Sequence, residues 1–206
     1  DGLLFSTDLV QLPESRAIFA LIRDAGTSLR SQERTPGEPN PDHTPASKAK
    51  SPDSVFVQDT FEQDTGCWKE RDRFVGGDVA RQTDQGSNGS QVLKISNLAY
   101  GGSFSVTVLD RPFDVRDYPL LSFDYRIDPG VKTDFYLKVN GRWYNLGFTD
   151  DEKDFQYQDV NMANLGRIPN VIANGEWHSA SVDLARLLRR KTGHTVVDEI
   201  IMADWN

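Results

Sequence analysis

The residues best suited to contact a ligand cluster around one dipeptide. Asn140-Gly141 separates two apolar-rich runs, residues 135–139 and 142–149, and just beyond it stand Arg142, Trp143 and Tyr144. A sugar is recognised by an aromatic face for its C–H groups and by planar polar groups beside it for its hydroxyls. Trp143 and Tyr144 are neighbours, so in a strand they face opposite sides and one of them points outward. Tyr136 and Lys138 share a face of the preceding run and extend the same surface. Tyr136, Lys138, Arg142, Trp143 and Tyr144 are therefore the candidate ligand-binding residues. Ordinary cross-strand pairing on a sheet surface would set the same side chains beside one another.

Asp59, Glu62 and Asp78 can supply hard oxygen ligands to a metal, with loop carbonyls around Gly76 and Gly77. The acidic run Asp150, Asp151, Glu152 and Asp154 is a second candidate, although carboxylates in solvated turns have the same composition. Catalytic constellations are lacking. His43, His178 and His194 lie in three separate segments without zinc-ligand spacing, and no G-x-S-x-G, P-loop or H-E-x-x-H is present. A glycosidase needs two carboxylates at a set separation across a cleft, which spacing along the chain does not supply. The chain reads as non-catalytic. Cys67 stands alone, which excludes an internal disulfide and a thiolate cluster and suits a small buried hydrophobe.

Thirty-one acidic residues against 23 basic ones give a net charge of -8 over 206 residues. Nucleic acid and anionic membrane surfaces are poor partners for such a chain, since both require clustered Lys and Arg. The longest apolar run, Ala17 to Ile22, is far too short to span a bilayer. Asp1 opens the chain without an initiator Met, as in a processed chain and equally in an excised one.

Three regions must position these side chains. Residues 1–30 form a docking segment with a short helix: Pro13 and Glu14 suit its start, Arg23 its last turn and Gly26 its C′ position. Ile18, Phe19, Leu21 and Ile22 make its partner-docking face, because an isolated helix of this length is marginal in water and must pack on something. Residues 31–54 hold Pro36, Pro39, Pro41, Pro45 and Pro52, half of the ten prolines, and almost no apolar side chain. That composition gives an extended linker. Residues 55–206 change to strand-sized segments between turns. Phe104, Val106 and Val108 alternate with Ser105 and Thr107, and Leu121, Phe123, Tyr125 and Ile127 alternate with Ser122, Asp124 and Arg126, giving one buried and one wet face. Asn140-Gly141 supplies the positive φ values of a two-residue type I′ hairpin. Helix is confined to residues 185–190, and residues 195–203 read as a last strand. The expectation is an all-β, antiparallel sandwich with a short N-terminal helix and an extended Pro-rich linker.

Asp59-Thr60-Phe61-Glu62, then Trp68, then Gly76-Gly77-Asp78, resembles the opening of the galactose-binding-domain-like sandwiches of bacterial secreted proteins. Tyr118-Pro119-Leu120-Leu121-Ser122-Phe123-Asp124-Tyr125-Arg126 is similar to their "L-x-F-D-Y" strand, and Gly175-Glu176-Trp177-His178 running into Asp183-Leu184 to their "G-x-W-H" before "D-L". The likeness covers residues 58–205. It implies a jelly-roll sandwich, non-catalytic, carried outside the cytoplasm in an extracellular or periplasmic setting as a carbohydrate-binding or adhesive module. It also implies a structural calcium near the chain ends. Such domains commonly end with a further strand beside the first, whereas this chain stops at Asn206. The closing strand is then absent, lost, or supplied by the head segment. A glycan or cell-surface ligand is the expected partner. The alternative is a structural subunit of an extracytoplasmic assembly, tied to protein partners through residues 1–54.

Overall fold

The computed structural model describes residues 3–5, 19–22, 55–71, 77–83, 91–98, 104–150 and 162–204. In chain order its elements are β1 (Leu3–Phe5), β2 (Phe19–Ile22), β3 (Val55–Asp59), β4 (Lys69–Glu70), β5 (Gly77–Thr83), β6 (Gln91–Asn97), β7 (Phe104–Leu109) and β8 (Phe113–Asp114). There follow β9 (Leu120–Ile127), β10 (Asp134–Val139), β11 (Arg142–Gly147), β12 (Met162–Arg167), β13 (Trp177–Asp183), α1 (Leu184–Lys191), β14 (Val196–Val197) and β15 (Glu199–Asp204). The described chain is all-β in character, and none of its helices is long and apolar enough to cross a membrane.

β9 is the pivot of a seven-stranded sheet. One of its edges pairs with β13 from Leu120↔Asp183 to Arg126↔Trp177. The other is shared by β2, from Leu120↔Ile22 to Phe123↔Phe19, and by β1, at Arg126↔Leu4 and Ile127↔Leu3. β2 continues the sheet to β3, and β1 continues it to β6 and β5. The second sheet has six strands in the order β12-β11-β10-β15-β7-β4. Its pairings are antiparallel except for β11 and β12, which run parallel. β8 and β14 form a small third sheet.

One core lies between the two large sheets. Leu121, Phe123, Tyr125 and Ile127 alternate inward along β9 and meet Phe135, Leu137 and Val139 of β10. Phe123 lies 5.3 Å from Phe135 and 5.5 Å from Phe148, ring centroid to centroid, and Tyr125 lies 5.0 Å from Phe148 at 76°. Edge-to-face rings at such spacings add to the burial that holds the sheets together. α1 closes one end. Asp183 accepts a 2.7 Å hydrogen bond from Arg186 N as its cap, Leu184 and Leu188 turn into the core, and Arg189, Arg190 and Lys191 complement its C-terminal dipole.

Three expectations are corrected. The helix expected between Pro13 and Gly26 is, in its described part, the strand β2. A run apolar on every face has no helical stripe, and a place between β3 and β9 satisfies both of its backbone edges. Its docking residues Phe19, Leu21 and Ile22 are thereby strand positions in the body's own sheet, while Ile18 lies outside the described residues, as does the linker at 31–54. Ser105 and Thr107 are buried rather than wet, beside the equally buried Ile201 and Ala203 of β15, and so is Asp124, expected on the wet face of β9, which accepts from the Ser179 hydroxyl of β13 at 2.5 Å. Residues 195–203 divide at Asp198, whose N–H donates to Lys138 O at 2.8 Å, so β14 and β15 join different sheets.

The aromatic junction between the sheets sets a test. Phe123→Ala removes a ring in contact with three others and lowers unfolding free energy by about 3–5 kcal/mol, read from urea denaturation monitored by circular dichroism.

Candidate functional site

The hairpin at Asn140 (φ 49°) and Gly141 (φ 74°) has both positive φ values that a type I′ turn requires. It places Lys138 opposite Trp143 and Tyr136 opposite Asn145. Tyr136 is buried on the outer face of the second sheet with Ile201 and Ala203, and Trp143 and Met162 pack against that cluster. Lys138 Nζ lies 5.7 Å from the Trp143 ring centroid and the Arg71 guanidinium 5.1 Å from it, with Arg71 ion-paired to Glu199. Tyr144 turns the other way into the main core, with the Arg142 guanidinium 5.6 Å from its ring. The five candidate ligand residues thus divide between two faces. Two of the three rings are buried, and the third is the hub of a cation–π and ion-pair network.

Asp59 ends β3 as a buried carboxylate that accepts from Cys67 N at 3.4 Å, and burial holds its pKa above the ordinary range. A Cβ at Gly66 would come within 2.1 Å of its Oδ1, so the turn at residues 64–67 closes over it only with glycine there. Glu62 is exposed and accepts from Gln91 N at 3.4 Å, while Asp78 is exposed on β5 opposite Ser96. These three carboxylates do not converge, and among the described residues no three acidic, His or Cys side chains come together to hold a metal ion. Beside them, the Arg81 guanidinium donates to three successive carbonyls, Phe61 O at 2.8 Å, Gln63 O at 2.6 Å and Glu62 O. An organic cation thus takes these three loop oxygens, while Gly76, whose carbonyl belongs to the expected metal site, lies outside the described residues. In the second acidic run Asp150 is buried, and Asp151, Glu152 and Asp154 lie outside the described residues.

A cleft of about 340 Å³ opens at the end of the parallel pair, lined by Phe148, Thr149, Arg167, Ile168, Asn170, Val171 and Ala173. Arg167 ends β12 and donates to Phe148 O at 3.3 Å and to Asp150 O. Residues 168–173 are held through two main-chain N–H groups, Ile168 N donating to Gly147 O at 2.9 Å and Ile172 N to the Tyr125 hydroxyl at 2.8 Å. Asn170 sits at φ 57° on this loop with an exposed side chain. Thr149 Oγ1 accepts from Thr133 N at 2.8 Å and donates to Thr133 O at 3.1 Å.

Behind Phe148 lies Asp134, which accepts from Phe148 N at 2.6 Å and Asn145 Nδ2 at 2.8 Å. Burial pushes its pKa up against the opposing pull of those bonds, and the nearby Asp150 carboxylate adds to the rise. The cleft is therefore mainly polar: the Asn170 amide is exposed on it, while the Arg167 guanidinium and the Thr149 hydroxyl are held by main-chain groups of its rim. That chemistry binds and orients small polar groups. Sequence reading passed over Arg167 and Asn170 because Met162–Arg167 shows no alternation; the one local signal was Pro169-Asn170, a turn pair.

Two measurements follow. The folded chain holds the Asp134 proton at pH values where the unfolded chain, with the ordinary 3.8, has released it. Stability then falls as pH rises from 3.8 through the folded pKa. Asp134→Asn lacks this loss, so its melting temperature relative to the parent climbs between about pH 3 and pH 7. A pH-independent difference would remove Asp134 from the balance. At the other site, Arg81→Met lowers stability by about 1–3 kcal/mol, whereas calcium or a chelator leaves the parent's melting temperature within about 1 °C.

In comparisons with known proteins, no family model matches the chain and no curated protein matches it significantly, so a functional reading rests on this geometry.

Proposed function

We propose that this chain is a non-catalytic binding module of extracellular or periplasmic setting, built on a galactose-binding-like jelly-roll sandwich, that takes the end of a glycan in the cleft at Arg167 and Asn170. The observation that carries the reading is the cleft itself. Its volume of about 340 Å³ stands at the lower end of small-ligand sites, roughly 300–1,000 Å³. Polar groups predominate there, with the half-buried Val171 and Ala173 beside them, which suits sugar hydroxyls. Ile172, 48% exposed next to the loop, adds an apolar contact at its rim. The finer fold draws support from where the resembling motifs fall. Phe61, Trp68, Phe123 and Tyr125 are core residues, and the strand after Gly175 pairs with β9 along nearly its whole length.

The test keeps the loop and removes the amide. At φ 57° glycine is at least as comfortable as asparagine, so Asn170→Gly folds with an unchanged melting temperature. A glycan array, followed by calorimetry on the best binder, is expected to show a loss of about 5- to 20-fold in affinity for this variant. Equal affinity for parent and variant, or no binder in the array, sinks the reading.

A further inference from the structure

The first sheet is completed by strands that arrive from far away in the chain. Among the described strands, the β13–β9 pair connects to β3 only through β2, and to β6 and β5 only through β1. Without these two strands the sheet divides into three pieces, and the second edge of β9 loses the partners that β1 and β2 supply. β1 and β2 have only three and four residues. They nonetheless lie opposite the core-forming stretch of β9, with Phe19 in register with Phe123, Leu21 with Leu121 and Leu3 with Ile127.

The connection back to the body is far longer than closure demands. Ile22 and Val55 are direct cross-strand partners, about 4.5–5.5 Å apart at Cα, yet 32 residues, 23–54, lie between them. A hairpin of about four residues would serve, and each doubling of loop length beyond that adds to the entropy of closure. Fully extended, 32 residues reach at most about 105–115 Å, enough to carry the head to a neighbouring molecule. The slot makes the same backbone bonds whichever copy supplies the strands. The choice between a strand from the same chain and one from a neighbour is therefore set by tether entropy against concentration.

We propose that the slot along β9, between β3 and β6, accepts the β1 and β2 strands of a second copy of this chain, giving a strand-exchanged dimer. Reciprocal exchange closes both slots, so the second edge of β9 is paired in each copy. The inference is independent of what the Arg167 cleft binds.

The register supplies the test, since Ala20 and Ser122 are paired positions and cross-strand partners lie within disulfide reach. In a Cys67→Ser background, full-length chains carrying only Ala20→Cys or only Ser122→Cys are co-expressed, so that exchange is available at first folding, and then oxidised. A third chain carries both substitutions. Exchange gives a covalent one-to-one heterodimer, about tenfold above either homodimer, which does not form when the two purified proteins are mixed at about 1 µM. The double variant, oxidised at the same dilution, closes within one chain. Folded monomers with free thiols after co-expression, alongside a closed double variant, would overturn the proposal by keeping each head in its own slot. A double variant that does not close would overturn it as well, because β2 then does not lie on β9.

Discussion

A strand inside a sheet carries two rows of backbone donors and acceptors, and a row buried without partners costs as much as the bonds it lacks. β9 lives under that constraint more strictly than any other segment. Its inward side chains form the floor of the core, so it cannot sit at a solvated rim. β13 meets one row, and the other is met in two instalments by β2 and β1, which come from the opposite end of the chain. The junction of Phe123, Tyr125, Phe135 and Phe148 depends on that arrangement, because it exists only while β9 is held flat against β10.

Legibility followed locality. The Asn140-Gly141 hairpin could be read because two adjacent residues demand positive φ, and β9 because its alternation matches a half-buried strand. α1 was visible as a helical patch at residues 185–190, against Leu184–Lys191 in the structure. β2 was not, since a run apolar on all faces fits helix and buried strand alike, and its partners lie some forty and a hundred residues away. For the site the contrast is sharper. The aromatic pair Trp143 and Tyr144 stood out in the chain, but pleating sends them to opposite faces. The Arg167 cleft arises where a parallel strand without alternation ends beside a turn, and nothing along the sequence marks β12 as the neighbour of β11.

Charge is handled inside the molecule to a degree that the net acidity conceals. Arg81 gathers three carbonyls, Arg167 two, and Arg71 bridges Glu199 to the face of Trp143. In each case a delocalised, weakly hydrated cation ties a loop or strand end to main-chain or aromatic acceptors. Lysine, a compact and strongly hydrated charge, would not span the same forks. The arginines act as cross-braces at turns where the sheets themselves offer no hydrogen bonds.

The loop from Ile168 to Ala173 is held by one main-chain bond, Ile168 N to Gly147 O, and by one tyrosine hydroxyl reaching across from the opposite sheet. Pro169, Asn170 and Ile172 point to solvent and hold none of those bonds with their side chains. Backbone and side chain therefore have separate duties there. Substitutions at position 172 would change the exposed surface while leaving those bonds in place, whereas position 170, at φ 57°, accepts few residues besides asparagine and glycine. The frame of the loop is thus insulated from changes in the side chains it displays at position 172.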